Sequence, residues 1–381
     1  MRLHTKYTKQ HTSMRSVRII MSVILLVQAA MLAAQSITLP FSRLDILFAG
    51  DIMQHQSQLD AARCNDGTYS YSPCYRYIKG DVTRAAIAVA NLETTIGKGR
   101  YGGYPSFCAP DSLLYAVRDA GFDVLLFANN HCLDRGKKGA LYTMQMMDSL
   151  GIEHCGVYRD STDRANRYPL MLDRNGIRVA LLNYTYGTNG IPVPAPLIVN
   201  MIDKEVIAAD IVKAKKQKAD VIICCIHWGD EYVSLPPKSV RDLADWLLMQ
   251  GVDHIIGGHA HVLQPMEVRD DNRTAGKHAV VYSLGNLISG MYDRRRDGGA
   301  MVRLELHRFA DITYFHSLSY ALTWVARPRR DDVANFVIYG AGAHPAHLNN
   351  VTKGKFQEFL LDSRMLFDKH NKGNVWEYVI E

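Results

Sequence analysis

The chain has 381 residues, 48% of them apolar and 22% charged, enough for one large domain or two ordinary ones. This composition excludes a disordered or collagen-like chain. The formal net charge is +6, and Arg2, Lys6, Lys9, Arg15 and Arg18 meet no acid in the first eighteen residues. The body is therefore nearly neutral, and charge gives no reason to expect a nucleic-acid partner.

The chain opens with a basic stretch to Arg18, followed by "IIMSVILLVQAAMLAA" from Ile19 to Ala34. This is the layout of a secretory signal. Residues 1–36 are expected to be a cleaved signal peptide or an N-terminal anchor. The protein is then exported, periplasmic or at the cell surface, with residues 19–34 as the membrane attachment if uncleaved. The run carries Gln28 and is short for a span, which needs roughly 20 apolar residues. Leu32 stands where a small residue is preferred if cleavage follows Ala34. Export permits disulfides. Of seven cysteines, Cys64 and Cys74 flank a short polar loop and are expected to be able to pair, with Cys108 a third candidate. Cys224 and Cys225 sit in the apolar run "VIICCI" and read as buried small hydrophobes.

Short apolar runs then recur, each ending in a polar cluster: "LDILFAGD" (44–51), "AIAVANLE" (86–93), "FDVLLFANNH" (122–131), "ADVIICCIHWGD" (219–230), "VDHIIGGHAH" (252–261) and "HAVVYSLGN" (278–286). Such runs fit strands buried on both faces. Helices are expected between them, over 110–121, 135–151, 203–217 and 239–251. In the third, Val206, Ala209 and Val212 share a side. The fourth has a serine cap at Ser239 and a stop at Gly251. Residues 168–186 read as a hairpin turning at Asn175-Gly176. Two antiparallel strands are expected near 300–325, so part of the sheet system is mixed. Strand alternating with helix makes the fold class α/β. Residues 354–370 read as one helix in a C-terminal extension, 327–381, that packs on the core.

Ligands in open α/β sheets bind at the carboxyl ends of strands. Five runs end there in groups able to hold metal: Asp51; Asn91 and Glu93; Asn130 and His131; His227; His259 and His261. Singly, each has a plainer reading as a cap, turn or packed core residue. The Gly-x-His-x-His pair is stronger, because alternate strand residues share a face and paired glycines allow close approach. Together they offer the carboxylate, imidazole and amide oxygen that divalent ions take. Two neighbouring ions need a bridging carboxylate between two half-shells.

The set "GDIM", "ANLETTI", "NNHCLDRG", "HWGDEY", "GGHAHVLQP" and "SLGN" resembles the CapA-type, poly-γ-glutamate capsule synthesis proteins of the calcineurin-like metallophosphoesterase superfamily. The resemblance runs from about Leu44 to Leu322, with a domain expected over 41–326. It implies a metallophosphatase-like four-layer α/β/β/α sandwich with two mixed sheets and two divalent metal ions (Mn, Zn, Fe or Mg). It implies one ion held by Asp51, Glu93 and His261. The other is held by Glu93, Asn130, His227 and His259. His131 would act on the scissile group, with Asp134 orienting it. Asn91, Glu231, Gln264 and Asn286 take substrate-contacting or supporting places. Met53 stands where the superfamily has a histidine, so one metal position is expected to be weaker or differently filled, and Glu93 stands where it has an aspartate, so the metal–metal geometry is expected to differ. The implied partners are an anionic surface polymer or phosphoester substrate and a membrane-bound polymer synthesis complex. The implied activity is that of a metal-dependent hydrolase or, if that chemistry is lost, a polymer-binding scaffold. Specificity is expected in the loops at 55–81 and 187–200.

Overall fold

The computed structural model describes residues 21–23, 41–271, 276–343 and 348–380. The chain divides into two units, residues 1–41 and 42–381. Of the first, Met21–Val23 form a helical turn; the rest of the signal or anchor segment lies outside the described residues. Among the described residues no helix is long and apolar enough to cross a membrane.

Two mixed sheets form the second unit. In the nine-stranded sheet the order is Val337–Gly340, Ile312–Ala326, Gly298–Phe309, Phe41–Ile52, Ile87–Leu92, Val124–Leu126, Glu153–Cys155. Off this path, Asn286–Ile288 pairs with the Phe41–Ile52 strand and Val375–Glu377 with the Ile312–Ala326 strand. In the six-stranded sheet the order is Met266–Asp270, Lys277–Val281, His254–Gly258, Val221–His227, Ile177–Thr185, Leu170–Arg174. The Phe41–Ile87–Val124–Glu153 series and the Ile177–Val221–His254–Lys277 series are parallel, while the hairpin strands run antiparallel.

Period-two alternation explains the layering. Leu44, Ile46 and Phe48 of the first strand enter one core with Val179, Leu181, Ile223 and Ile255 of the other sheet. Leu47 and Ala49 point the opposite way, toward Leu113, Leu114 and Val117 of the Ser112–Asp119 helix and Ala140 and Met144 of the Gly136–Ser149 helix. The Lys204–Lys216 and Lys238–Gln250 helices pack Ile207, Ile211, Ala244 and Leu247 into the first core. The order of layers is helix, sheet, sheet, helix. Residues beyond 327 supply two strands of the larger sheet and the Asn350–His370 helix. Phe356 of that helix lies 5.5 Å from Trp324, ring to ring, and Phe367 4.7 Å from Tyr320.

Four expectations are corrected. The 203–217 helix buries Ile207, Ile211 and Ala214, not the Val206 side: Val206 and Val212 are 41% and 51% exposed. The buried stripe follows i, i+4, i+7 spacing and carries Asp210, which accepts from Tyr184 and Arg164. Pro237, with φ −63°, stands at the N-cap of the Lys238–Gln250 helix, so Ser239 falls inside the first turn; Gly251 at φ 103° does end it. The run 122–131 gives only the strand Val124–Leu126, because its polar end leaves the sheet for the site. All seven cysteines are free. Cys64 faces the Ala62 carbonyl and Cys74 faces Asn335, each at 3.8 Å. The hairpin at Asn175-Gly176 forms as expected, both residues having positive φ (54° and 73°).

Candidate functional site

Register brings the polar strand ends together. Asp51 lies opposite Asn91 on one side and Asn286 on the other, at a bulge that follows Ala49. Gly50 permits this closeness: a Cβ there would stand 2.1 Å from the Gly285 carbonyl oxygen. In the second sheet His227, the last strand residue, lies opposite Gly258. A Cβ on Gly258 would come 3.2 Å from Asp51 Oδ1, so this glycine leaves room where the two sheets meet. His259 and His261 follow the strand rather than continue it. Both are left-handed, with φ 88° and 55°. Their aim therefore comes from loop backbone that side chains rarely adopt, not from strand alternation.

Two donor groups result, sharing one carboxylate. Donor atoms of Asp51, Glu93 and His261 lie within 4.8 Å of one another, as do those of Glu93, His227 and His259. All five residues are buried. His227 Nε2 lies 2.8 Å from Asn130 Oδ1, 3.1 Å from His259 Nδ1 and 3.6 Å from Glu93 Oε1. Asn130 donates its Nδ2 to Asn189 at 3.1 Å, which turns its oxygen to the site. His261 Nδ1 contacts Asn286 Oδ1 at 3.0 Å, leaving Nε2 at 3.7 Å from Glu93 Oε1. The Asn286 oxygen engages one ring nitrogen and so turns the other toward the carboxylate.

The donors fit divalent cations. Asp51 Oδ2 and Glu93 Oε1 are buried and accept no hydrogen bond, an arrangement that costs about 1–3 kcal/mol per group unless something else satisfies it. Burial, then the neighbouring Asp51, raises Glu93 well above the usual carboxylate range. Burial opposes a charge on His261, but Glu93 and Asp51 overcome it and lift the imidazole to about 9. Burial by itself would raise the Asp51 carboxyl, but His261, His227 and Asn91 outweigh it and hold the carboxyl below its ordinary value. Burial holds His227 down at about 3 and, with the His227 and His261 charges, His259 at about 2. Both are neutral imidazoles with lone pairs to give.

The remaining expected residues surround this centre. Asn91 donates to Asp51 Oδ1 at 2.8 Å and is itself held by Asn129. His131 Nδ1 donates to Asp134 Oδ2 at 2.8 Å, and the same oxygen accepts from the Phe107 amide at 2.7 Å. Burial lowers the His131 imidazole, but the Asp134 bond and Glu93 raise it on balance. Glu231 is exposed at the rim, within reach of His259 and His261. Gln264 ties the His-x-His loop to the Val233 carbonyl at 2.7 Å, and no contact joins it to the donors. Asn286 also donates to the Arg296 carbonyl at 3.0 Å.

A cleft of about 360 Å³ opens beside His131 and His261, and Met53, His55, Tyr104, Tyr232 and Arg296 help line it. Its walls come from Tyr104, Glu231, Tyr232, residues 290–293 and Arg296. Of the two loops expected to set specificity, only His55 contributes. Met53 is 1% exposed and offers a thioether. His55, two residues on, accepts from the Gly290 amide at 3.1 Å and packs 5.1 Å from Phe107. Sequence reasoning placed it in a specificity loop without singling it out, although Asp51-x-Met53-x-His55 alternation could have marked it. Asn129, which braces both Asn91 and the His131 amide, and Tyr186, 4.5 Å from the His259 ring, were missed too. Asn129 sits in the quoted "NNH", and Tyr186 one residue before the 187–200 loop.

Comparison with known proteins gives the family. The chain is 32% identical over 206 residues to "Capsule biosynthesis protein CapA" of Bacillus anthracis, covering 52% of this chain and 47% of that protein. It is 30% identical over 202 residues to "PGA biosynthesis protein CapA" of Bacillus subtilis, covering 50% and 49%. The match thus spans about half the length of these curated relatives. Two solved structures are similar in part. One is the NAD nucleotidase of Haemophilus influenzae (TM-score 0.46, 10% identity, 86% of this chain and 61% of that one). The other is a phosphatase of Mycoplasma pneumoniae (TM-score 0.43, 12% identity, 74% and 94%). Likeness at this level says nothing of activity. The sequence profile described as "Bacterial capsule synthesis protein PGA_cap" matches residues 45–291, which include every donor described above, and the chain belongs to that family.

Proposed function

We propose that the protein is an exported, metal-dependent hydrolase acting on a poly-γ-glutamate or capsule-like anionic surface polymer, in its synthesis, export or release. The observation that carries this reading is the pair of buried donor groups sharing Glu93, set beside an open cleft in a chain of the capsule synthesis family. Asp51, Glu93 and His261 would hold one divalent ion; Glu93, Asn130, His227 and His259 the other. When bound by these residues, divalent ions would supply Lewis acidity, the chemistry that makes water nucleophilic near neutral pH. The first position has three protein donors and Met53 where a fourth would help, so it is the weaker.

The chain's own residues do the rest. Asp134 fixes His131 with its Nδ1 proton engaged, which presents Nε2 to the cleft for proton donation to the leaving group. Asn91 and Asn286 hold Asp51 and His261 in place. Tyr104 and Tyr232 wall the cleft and limit water beside the scissile bond. Residues 19–34 deliver the chain to the membrane, where it would meet a polymer synthesis complex.

A second reading, a phosphoester hydrolase outside the cytoplasm, is favoured by the mixture of carboxylate, imidazole and amide donors. A third, a polymer-binding scaffold, is favoured by Met53. Elemental analysis of the full chain, paired with Mn- and Zn-dependent hydrolysis of γ-glutamyl and phosphoester substrates, tests them. The first reading expects about two ions per chain and γ-glutamyl cleavage. Phosphoester turnover alone selects the second, and bound polymer without any turnover the third. Absence of retained metal sinks the hydrolase readings.

A further inference from the structure

A second cavity, of about 400 Å³, is bounded by Lys98, Arg100, Arg135, Lys138, Cys108 and Tyr142. Its four cations make no ion pair with any described carboxylate. Lys98, Arg100 and Lys138 are exposed, and Lys98 stands 5.3 Å over the Tyr142 ring. Arg135 is half-buried, and its Nε is fully buried without a hydrogen-bond partner. Asp111 accepts the Tyr142 hydroxyl proton at 2.8 Å and does not line the cavity. In a body of nearly neutral charge, four like charges around one hollow repel each other and lower the cost of bringing an anion in.

The cavity is joined to the cleft through the backbone. Arg135 follows Asp134, and Cys108 follows Phe107; that Asp and that Phe are the pair that fix and pack against His131. Three of the cations are on long exposed stems, which can each meet a carboxylate of a flexible anionic chain. We propose that this basic cavity is a docking subsite for a stretch of a carboxylate-bearing polymer whose neighbouring stretch lies in the cleft at His131. This rests on the polymer reading given above.

The test measures binding of fluorescently labelled poly-γ-glutamate to the full chain by anisotropy, at low and at high salt. The variant is Lys98→Glu/Arg100→Glu/Lys138→Glu; Arg135, built into the loop, is left alone. A matched reversal, Lys216→Glu/Lys218→Glu/Lys355→Glu, controls for net charge, and circular dichroism melting checks that each variant folds. The subsite variant is expected to bind at least tenfold more weakly at low salt and to show a shallower salt dependence, while the control binds nearly as the parent does. Equal weakening in both variants, or none in the first, overturns the subsite and leaves the polymer reading standing. Failure of the parent chain to bind poly-γ-glutamate overturns both. Binding of polyphosphate or heparin in its place overturns the carboxylate assignment.

Discussion

Replacing Glu93 with Gln removes one charge and almost no volume, so it separates metal holding from folding. Glu93 is 0% exposed, its Oε1 has no donor, and it is the one residue common to both donor groups. An ion present at a hundred times its dissociation constant stabilises the folded state by about 2.7 kcal/mol. For a chain of this size that is about 5 °C in melting temperature. The wild-type protein, stripped with chelator and titrated with Mn or Zn in a differential scanning fluorimetry series, is expected to gain at least this. The metal-free Glu93→Gln protein is expected to melt within about 1 kcal/mol of the metal-free parent, because Gln is isosteric with a carboxyl whose charge burial and Asp51 already disfavour. Its metal-induced gain is expected to vanish. Equal metal stabilisation of parent and variant would refute the idea that Glu93 joins the two half-sites. So would a large metal-free loss in the variant, since it would make Glu93 a structural residue.

Other expectations follow from the same geometry. His131→Ala is expected to keep its metal content by elemental analysis and to lose about 10²–10⁴ in metal-dependent turnover, the range of a positioned acid–base group. Gly257→Ala sets a Cβ 2.1 Å from the Tyr282 carbonyl oxygen and 2.5 Å from Trp228 Nε1. It is expected to cost about 1–3 kcal/mol in urea unfolding. Burial, then the His278 charge, lowers His254 from 6.5 to about 3, so the folded state refuses a proton that the unfolded chain accepts. Stability from this group is intact above pH 6.5 and falls as pH drops toward 3, by about 2 kcal/mol at pH 5. His254→Asn, which keeps an acceptor for the Ala279 amide, is expected to lose that much less between pH 7.5 and 5. Alkylation of the denatured, unreduced protein is expected to modify all seven cysteines.

The candidate donors were legible because each stands at or just beyond the end of a strand whose apolar run is unmistakable, and because Asp, Glu, His and Asn have few other reasons to recur there. Their grouping came from family resemblance, not from spacing: no periodicity places His227 beside Asn130, 97 positions earlier in the chain. What stayed hidden depends on long-range contact. His55 and Tyr186 acquire their place only from Gly290, Phe107 and His259, which lie far away in sequence. The cleft wall at 290–293 and Arg296 was missed because it is short, irregular and charged, and it reads as surface. The buried face of the 203–217 helix was misread because two stripes were apolar, and the decisive one was marked by Asp210, a polar residue made buriable by Arg164 and Tyr184. Ser239 misled because propensity names a cap residue while the preceding proline chooses the position.

The sheet-to-sheet position of the donors has a consequence for assembly. Asp51, Glu93 and Asn130 come from the larger sheet and its loops, and His227, His259 and His261 from the smaller one. An ion gripped from both sides would act as a rivet through the sandwich, opposing any sliding of one sheet over the other. It could be captured only after the polypeptide had been made past residue 261 and both sheets had closed. A half-folded chain would hold at most scattered donors with little grip, so metal uptake would report that tertiary assembly had finished.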